Sequence, residues 1–196
     1  ILKAEAPKAT NGLAIAINNA NEGNVARLFS SVKFDYSTWF TDNEVSNSYI
    51  KKTISTTTPG SEILGYNNTA IIEKVGESYN EAQTGSGEFM TILTAFRTAN
   101  EVSSNCSKWY LPSYAELKQI QDNYATIEAS IQKANGTLVQ FSDFATNTTD
   151  KFYWSSDLRG GQYGWVSPLA DTTDANLYIS RNSNNYKGYF RFAIAF

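Results

Sequence analysis

The chain has 196 residues, 41% of them apolar and 14% aromatic, which is enough for a sizeable core in one large domain or two small ones. Sixteen basic against nineteen acidic residues leave a net charge of −3, too weak a field for electrostatic capture of nucleic acid or an anionic membrane, so neutral ligands are favoured. With no histidine, and with Cys106 the only cysteine, an internal disulfide, imidazole catalysis and the usual zinc sites are excluded, and Cys106 reads as a small buried thiol near Trp109.

Residues 1 to 11, small, polar and charged around Pro7, read as a linker or tether, ahead of a single domain over 12–196. Ile1 to Glu5 lack the basic and apolar regions of a signal peptide, and no run reaches the roughly 18 apolar residues that cross a bilayer. For an exported protein, the signal or lipid anchor, and any upstream domain, would then lie before this numbering. Gly12 to Ile17 alternates large and small apolar side chains as a strand does, and Asn18, Asn19, Asn21 and Gly23 turn the chain. Val25 to Phe40 supplies aromatic bulk without a clean period, and Asp42 to Ser61, rich in Ser and Thr, reads as a surface excursion closing on Pro59-Gly60.

Three helices are expected next. Asn67 or Asn68 caps a short one through Ile71, Ile72 and Val75 that stops at Gly76. A second places Phe89, Ile92, Leu93, Phe96 and Ala99 on one side. The third opens on Pro112-Ser113-Tyr114-Ala115-Glu116, a Ser cap with Glu three residues on, and carries Leu117, Ile120, Tyr124, Ile127 and Ile131 on a buried face up to a stop at Gly136. From about residue 150 the pattern changes to short strands, at Phe152 to Trp154, Gly164 to Val166, Leu177 to Ile179 and Tyr189 to Phe196, separated by Gly-, Pro-, Asp- and Asn-rich turns. The economical arrangement is α+β, with the N-terminal strand and the C-terminal antiparallel strands sharing one twisted sheet, two or three helices packed on it, and the chain ends together.

Three pieces recur in order and spacing: Asn11 to Ile17, then Lys108-Trp109-Tyr110-Leu111-Pro112-Ser113-Tyr114-Ala115-Glu116-Leu117, then Tyr153-Trp154-Ser155-Ser156 leading to Arg191 through Phe196. Together they resemble the collagen-like adhesin C-terminal domain family, long catalogued as a domain of unknown function, over nearly the whole chain from Asn11. The resemblance implies a C-type lectin and formylglycine-generating-enzyme-like fold, placement in secreted or lipid-anchored bacterial surface proteins (lipoproteins), and adhesion to glycans, that is, carbohydrate binding. The calcium-site motifs of animal lectins, Glu-Pro-Asn or Gln-Pro-Asp followed by Trp-Asn-Asp, are missing, and a lone cysteine cannot supply the reactive pair of the formylglycine-generating branch.

No cofactor is therefore expected; a clustered set such as Asp171, Asp174 and Asn176 has oxygen ligands suited to calcium, but such residues in a turn-rich segment usually just form turns. The candidate ligand surface is Asp157, Arg159, Gln162, Tyr163, Trp165, Asn176, Tyr178, Arg181, Asn182, Asn184, Asn185 and Tyr186, because aromatic faces stack on sugar rings while amides exchange hydrogen bonds with hydroxyls. Trp154 is weighed as core, and the Asn run also fits a plain hairpin turn. Glu116, Glu128, Asp157 and Asp171 show no spacing that sets up a glycosidase pair, so no enzyme is expected. The functional expectation is a non-enzymatic adhesion domain for a glycan or surface glycoprotein. The alternatives are a structural or interaction subunit of a surface or pilus assembly, which an extended exposed strand such as Gly188 to Phe196 left unpaired would favour, and a retroelement-diversified receptor-binding domain, for which the run Asn182 to Tyr186 ahead of Phe190 to Phe196 is compatible.

Overall fold

A computed structural model describes residues 2–28, 63–78, 87–136, 152–159, 163–167, 178–180 and 187–196. In chain order the elements are α1 (Leu2–Glu5), β1 (Leu13–Ile15), α2 (Gly65–Ser78), α3 (Gly87–Ala99), α4 (Tyr114–Asp122), α5 (Tyr124–Lys133), β2 (Tyr153–Arg159), β3 (Tyr163–Ser167), β4 (Tyr178–Ser180) and β5 (Ala193–Ala195). The fold is α+β; the strand pairs β1–β5, β2–β3 and β3–β4 are antiparallel, and an isolated bridge from Tyr153 to Tyr189 is parallel. The aromatic stretch from Phe29 to Phe40 and the polar excursion from Asp42 to Ser61 lie outside the described residues.

The N-terminal strand does meet the C-terminal one, with Leu13 opposite Ala195 and Ile15 opposite Ala193, and the amide of Gly12 donates to the Phe196 carbonyl at 3.1 Å. The single shared sheet is corrected, however: β1–β5 is one sheet and β2–β3–β4 another. The last segment changes partners along its length. Gly188 and Tyr189 bridge to Ala26 and Tyr153 before Ala193–Ala195 reaches β1, so one run serves both sheets without merging them. At the changeover Arg191 is fully buried, its Nη1 donating to the Ala16 carbonyl at 2.9 Å and its guanidinium 6.0 Å from the Tyr153 ring centre.

The main core gathers Phe152, Trp154, Phe190 and Phe192 with Phe89 and Leu93 of α3. Trp154 belongs wholly to that core. Its ring meets Phe152 edge-on at 4.8 Å, and its Nε1 donates to the Ala26 carbonyl at 2.9 Å, which satisfies the indole's polar end.

Several expected boundaries move, each for a physical reason. α2 starts at Gly65 and continues through Gly76, because its first amide donates to Glu116 Oε2 at 3.0 Å; a side chain far along the chain does the capping expected of Asn67 or Asn68, both buried inside the helix. The capping box at Ser113 is present, but the long third helix breaks at Asn123, which leaves helical geometry (φ −114°, ψ 23°) while its Nδ2 donates to the Gln119 carbonyl at 2.9 Å. α5 ends with Asn135, not Gly136, in the left-handed region (φ 59°): Asn135 N donates to Gln132 O at 3.0 Å and Gly136 N to Ile131 O at 2.8 Å, the Schellman pair. Gly136 serves close approach, since a Cβ there would sit 2.3 Å from the Ile17 carbonyl oxygen.

The tether expected over residues 1 to 11 is corrected as well. Leu2 of α1 packs on the cluster of Tyr66, Tyr110 and Ala193, Ala6 is buried, and the Tyr66 hydroxyl donates to Glu5 Oε2 at 2.6 Å.

Candidate functional site

β5 has neighbours on both sides. Away from β1, Ala193 exchanges two backbone hydrogen bonds with Tyr110, each 2.9 Å, and the Ala195 carbonyl accepts from Ser107 N at 2.8 Å. Among the described residues β1 has a neighbour on one side alone. In an antiparallel pair the backbone groups alternate in direction, and Gly12 (with Phe196) and Ala16 (N to Phe192 O, 2.8 Å) point toward β5. Leu13 and Ile15 therefore aim their N–H and C=O groups outward, where they meet no backbone partner among the described residues.

Beside that open edge runs a groove of about 510 Å³, walled by Leu13, Ile15 and Ile17 on the strand side and by Ile120, Ile127 and Ile131 of α4 and α5 on the other. Leu13 is 40% and Ile17 43% exposed, so the edge presents apolar side chains as well as backbone groups that have no backbone partner among the described residues. The isoleucine stripe read as core thus also lines a surface groove.

Behind the groove lies a buried polar knot. Glu116, 4% exposed, accepts from Gly65 N (3.0 Å), Ser113 N (2.6 Å) and the Tyr110 hydroxyl (2.9 Å), tying together the starts of α2 and α4 and the strand-like segment at Tyr110. Asp157 of β2, 2% exposed, accepts from Asn68 Nδ2 (2.8 Å) and Tyr114 N (2.7 Å). Burial pushes the Glu116 carboxyl up against the pull of its hydrogen bonds from Ser113, Tyr110 and Gly65. Burial also pushes Asp157 up, to about 7, with the Glu116 charge adding to the rise and the hydrogen bonds from Tyr114 and Asn68 opposing it. The Tyr110 phenol is raised by burial and by Glu116. Both carboxyls are occupied by structural donors, an arrangement for holding elements together and not for attacking a substrate.

Of the expected ligand surface, Asp157 is corrected outright: it faces inward and holds α2 and α4 to β2. Arg159, Tyr163, Trp165 and Tyr178 lie on β2, β3 and β4, where Arg159 is opposite Tyr163 and Trp165 opposite Tyr178, so register brings these four positions together on one sheet. Gln162, Asn176, Arg181, Asn182, Asn184, Asn185 and Tyr186 lie outside the described residues, as do Asp171 and Asp174. Cys106 is partly exposed, in a turn whose amide donates to Ser103 O at 2.9 Å. Among the described residues no three acidic or cysteine side chains gather as metal ligands, and no helix is long and apolar enough to cross a membrane. The open edge at Leu13 and Ile15 escaped sequence reasoning, because an alternating apolar run reads alike whether a strand has one neighbour or two.

No family model matches the chain, and no curated protein matches it. Among solved structures it is similar to a fimbrial protein from Bacteroides ovatus ATCC 8483, with a TM-score of 0.69 at 16% identity. The match covers 100% of this chain and 38% of the other, so the chain spans well under half of that protein's length. At this identity the likeness is one of fold, and it speaks to a mixed helix-and-sheet domain without establishing a lectin-like arrangement.

Proposed function

We propose that this domain is a structural and interaction subunit of a bacterial surface or pilus-type assembly, and that it receives an extended apolar segment of a neighbouring subunit by strand addition along β1. The observation that carries this reading is the outward backbone of Leu13 and Ile15 flanked by the apolar groove. An added strand would pair with those groups and set every second side chain between β1 and the isoleucines of α4 and α5, each fully buried one contributing about 1.5–3 kcal/mol. An exposed apolar edge with no Lys, Pro or bulge to guard it is otherwise an aggregation liability, which favours a built-in occupant. The fold likeness to a fimbrial protein supports the same setting and a location at the cell surface. Glycan adhesion draws on the composition of the β2–β4 region and its turns, and gains no support from the groove or the knot.

Leu13→Pro tests the reading. The Leu13 N–H points away from β5, so proline there leaves the β1–β5 ladder intact while removing a donor that an added strand needs and crowding its approach. Expressed in the native envelope, the variant should enter high-mass surface assemblies about tenfold less than wild type, with the melting temperature of the isolated protein nearly unchanged. Equal incorporation of the two forms would refute strand addition at β1.

A further inference from the structure

We infer that the strand received along β1 is uncharged wherever it faces the groove: an extended peptide of a partner subunit with apolar side chains at every second position and no Asp, Glu, Lys or Arg among them. This rests on the strand-addition reading and names the chemistry of its occupant. It is carried by the way α4 and α5 sort their side chains between faces.

On α4 the groove is lined by Glu116, Gln119, Ile120 and Asn123, at steps of three and four along one side of the helix. Lys118 and Asp122, which pair with each other four residues apart, are left out of the lining. On α5 the lining takes Ile127, Ser130 and Ile131, and again leaves out the charged neighbours, Lys133 and Glu128, the latter accepting from the Tyr124 hydroxyl at 3.1 Å. The strand wall from Leu13 to Ile17 reads Leu-Ala-Ile-Ala-Ile, without a charge. Among the described residues Glu116 is thus the one charged side chain of the groove. Both of its oxygens are already held, Oε1 by the Tyr110 hydroxyl and Oε2 by the amides of Gly65 and Ser113.

The remaining polar side chains of the helical wall are neutral, and two of them are turned back on their own helices. Asn123 Nδ2 donates to the Gln119 carbonyl and Ser130 Oγ to the Thr126 carbonyl, each at 2.9 Å. An entering carboxylate or ammonium would give up its water and find no opposite charge free to meet it. Glu116 repels the first and is too heavily committed to pair with the second. An unpaired charge in such a place costs far more than an apolar side chain, which loses nothing polar and covers Ile120, Ile127 and Ile131.

Register decides which residues of the partner obey this rule. Leu13 and Ile15 are two residues apart, about 6.6 Å along a strand, and a strand paired with both sets its own side chains toward the groove at the same period. The outward backbone groups of these two residues also favour a peptide over an acyl chain, which could fill the groove but offers them no hydrogen bonds.

Calorimetric titration of the isolated protein with blocked seven-residue peptides tests the rule: acetyl-Thr-Val-Thr-Ile-Thr-Val-Thr-amide, and versions with Met, Lys or Glu, three unbranched side chains of similar length, in place of the central Ile. The Ile and Met peptides should bind, and the Lys and Glu peptides at least about tenfold more weakly than the Met peptide. A smaller gap for either charge overturns the inference. Amide exchange with the Met peptide bound separates this failure from that of strand addition. Protection of Leu13 and Ile15 together with a small gap removes the charge rule and leaves strand addition standing. A large gap without that protection means that the groove takes something other than a strand, and overturns both. Failure of every peptide to bind at about 1 mM overturns the inference and leaves strand addition to the Leu13→Pro experiment; a dimer of this chain that shuts the peptides out has the same consequence and assigns the edge to a second copy.

Discussion

Replacing Trp154 with alanine is expected to lower the unfolding free energy by about 3–5 kcal/mol, the cost of deleting a large buried aromatic whose site cannot collapse. The indole is fully buried among Phe152, Phe190 and Phe192, rings that are themselves fully buried and held by edge-on and tilted contacts. The loss is not confined to packing. Trp154 Nε1 donates to the Ala26 carbonyl, and Ala26 exchanges two hydrogen bonds of 2.9 Å with Gly188, where the chain enters its final segment. Truncation leaves that carbonyl one partner short in a dry environment and loosens the bridge from the N-terminal turn to the C-terminal run. Gly188 already lies hard against the core, since a Cβ there would be 2.3 Å from the Phe152 ring. Denaturant unfolding checks the figure, and a loss below about 1 kcal/mol would mean that the core closes around the gap.

Glu116→Ala should be comparably severe, at about 3–5 kcal/mol, because it strands three donors at once. The amides of Gly65 and Ser113 belong to helix starts, where no intrahelical carbonyl can replace the lost acceptor, and the Tyr110 hydroxyl is buried with them. Gly65→Ala strikes the same knot from the opposite side. Its Cβ would come within 2.3 Å of Glu116 Oε2, 2.7 Å of Ser113 N and 2.8 Å of Leu111 O, and the two backbone atoms have no room to give. Because both substitutions break one network, the double variant should lose less stability than the sum of the singles. Additive losses in the double-mutant cycle would show that the knot is not a single unit.

The parts of this architecture that could be read from the sequence are those whose causes are local. Ser113 and Glu116 announce their capping box because both partners lie within one turn, and the Phe89, Ile92, Leu93, Phe96 spacing announces α3 for the same reason. The pairing of the first strand with the last was also legible, from the need of two short apolar runs to find partners. The features that escaped are set by contacts distant in sequence. Nothing near Gly65 says that Glu116, 51 residues away, caps it, and nothing in residues 1 to 11 says that Leu2 and Glu5 find Tyr66. Asn135 takes the positive φ of the helix stop that sequence reading assigned to Gly136, and Gly136 serves close approach instead. Asp157 shows the same limit at the level of function: an acidic residue after Tyr153-Trp154-Ser155-Ser156 suits a ligand surface, but the inward register of β2 hands it to Asn68 and Tyr114. The groove itself is a product of topology, since β5 lies between β1 and Tyr110 and the other edge of β1 meets no strand among the described residues.

The central claim, that β1 takes an added strand, is tested most directly by amide hydrogen exchange in the isolated protein and in the assembled surface structure. In the isolated protein Leu13 and Ile15 should exchange quickly while Ala16, bonded to the Phe192 carbonyl, is protected. In the assembly Leu13 and Ile15 should become protected as well, whereas exchange at both residues as fast as in the isolated protein would contradict the account.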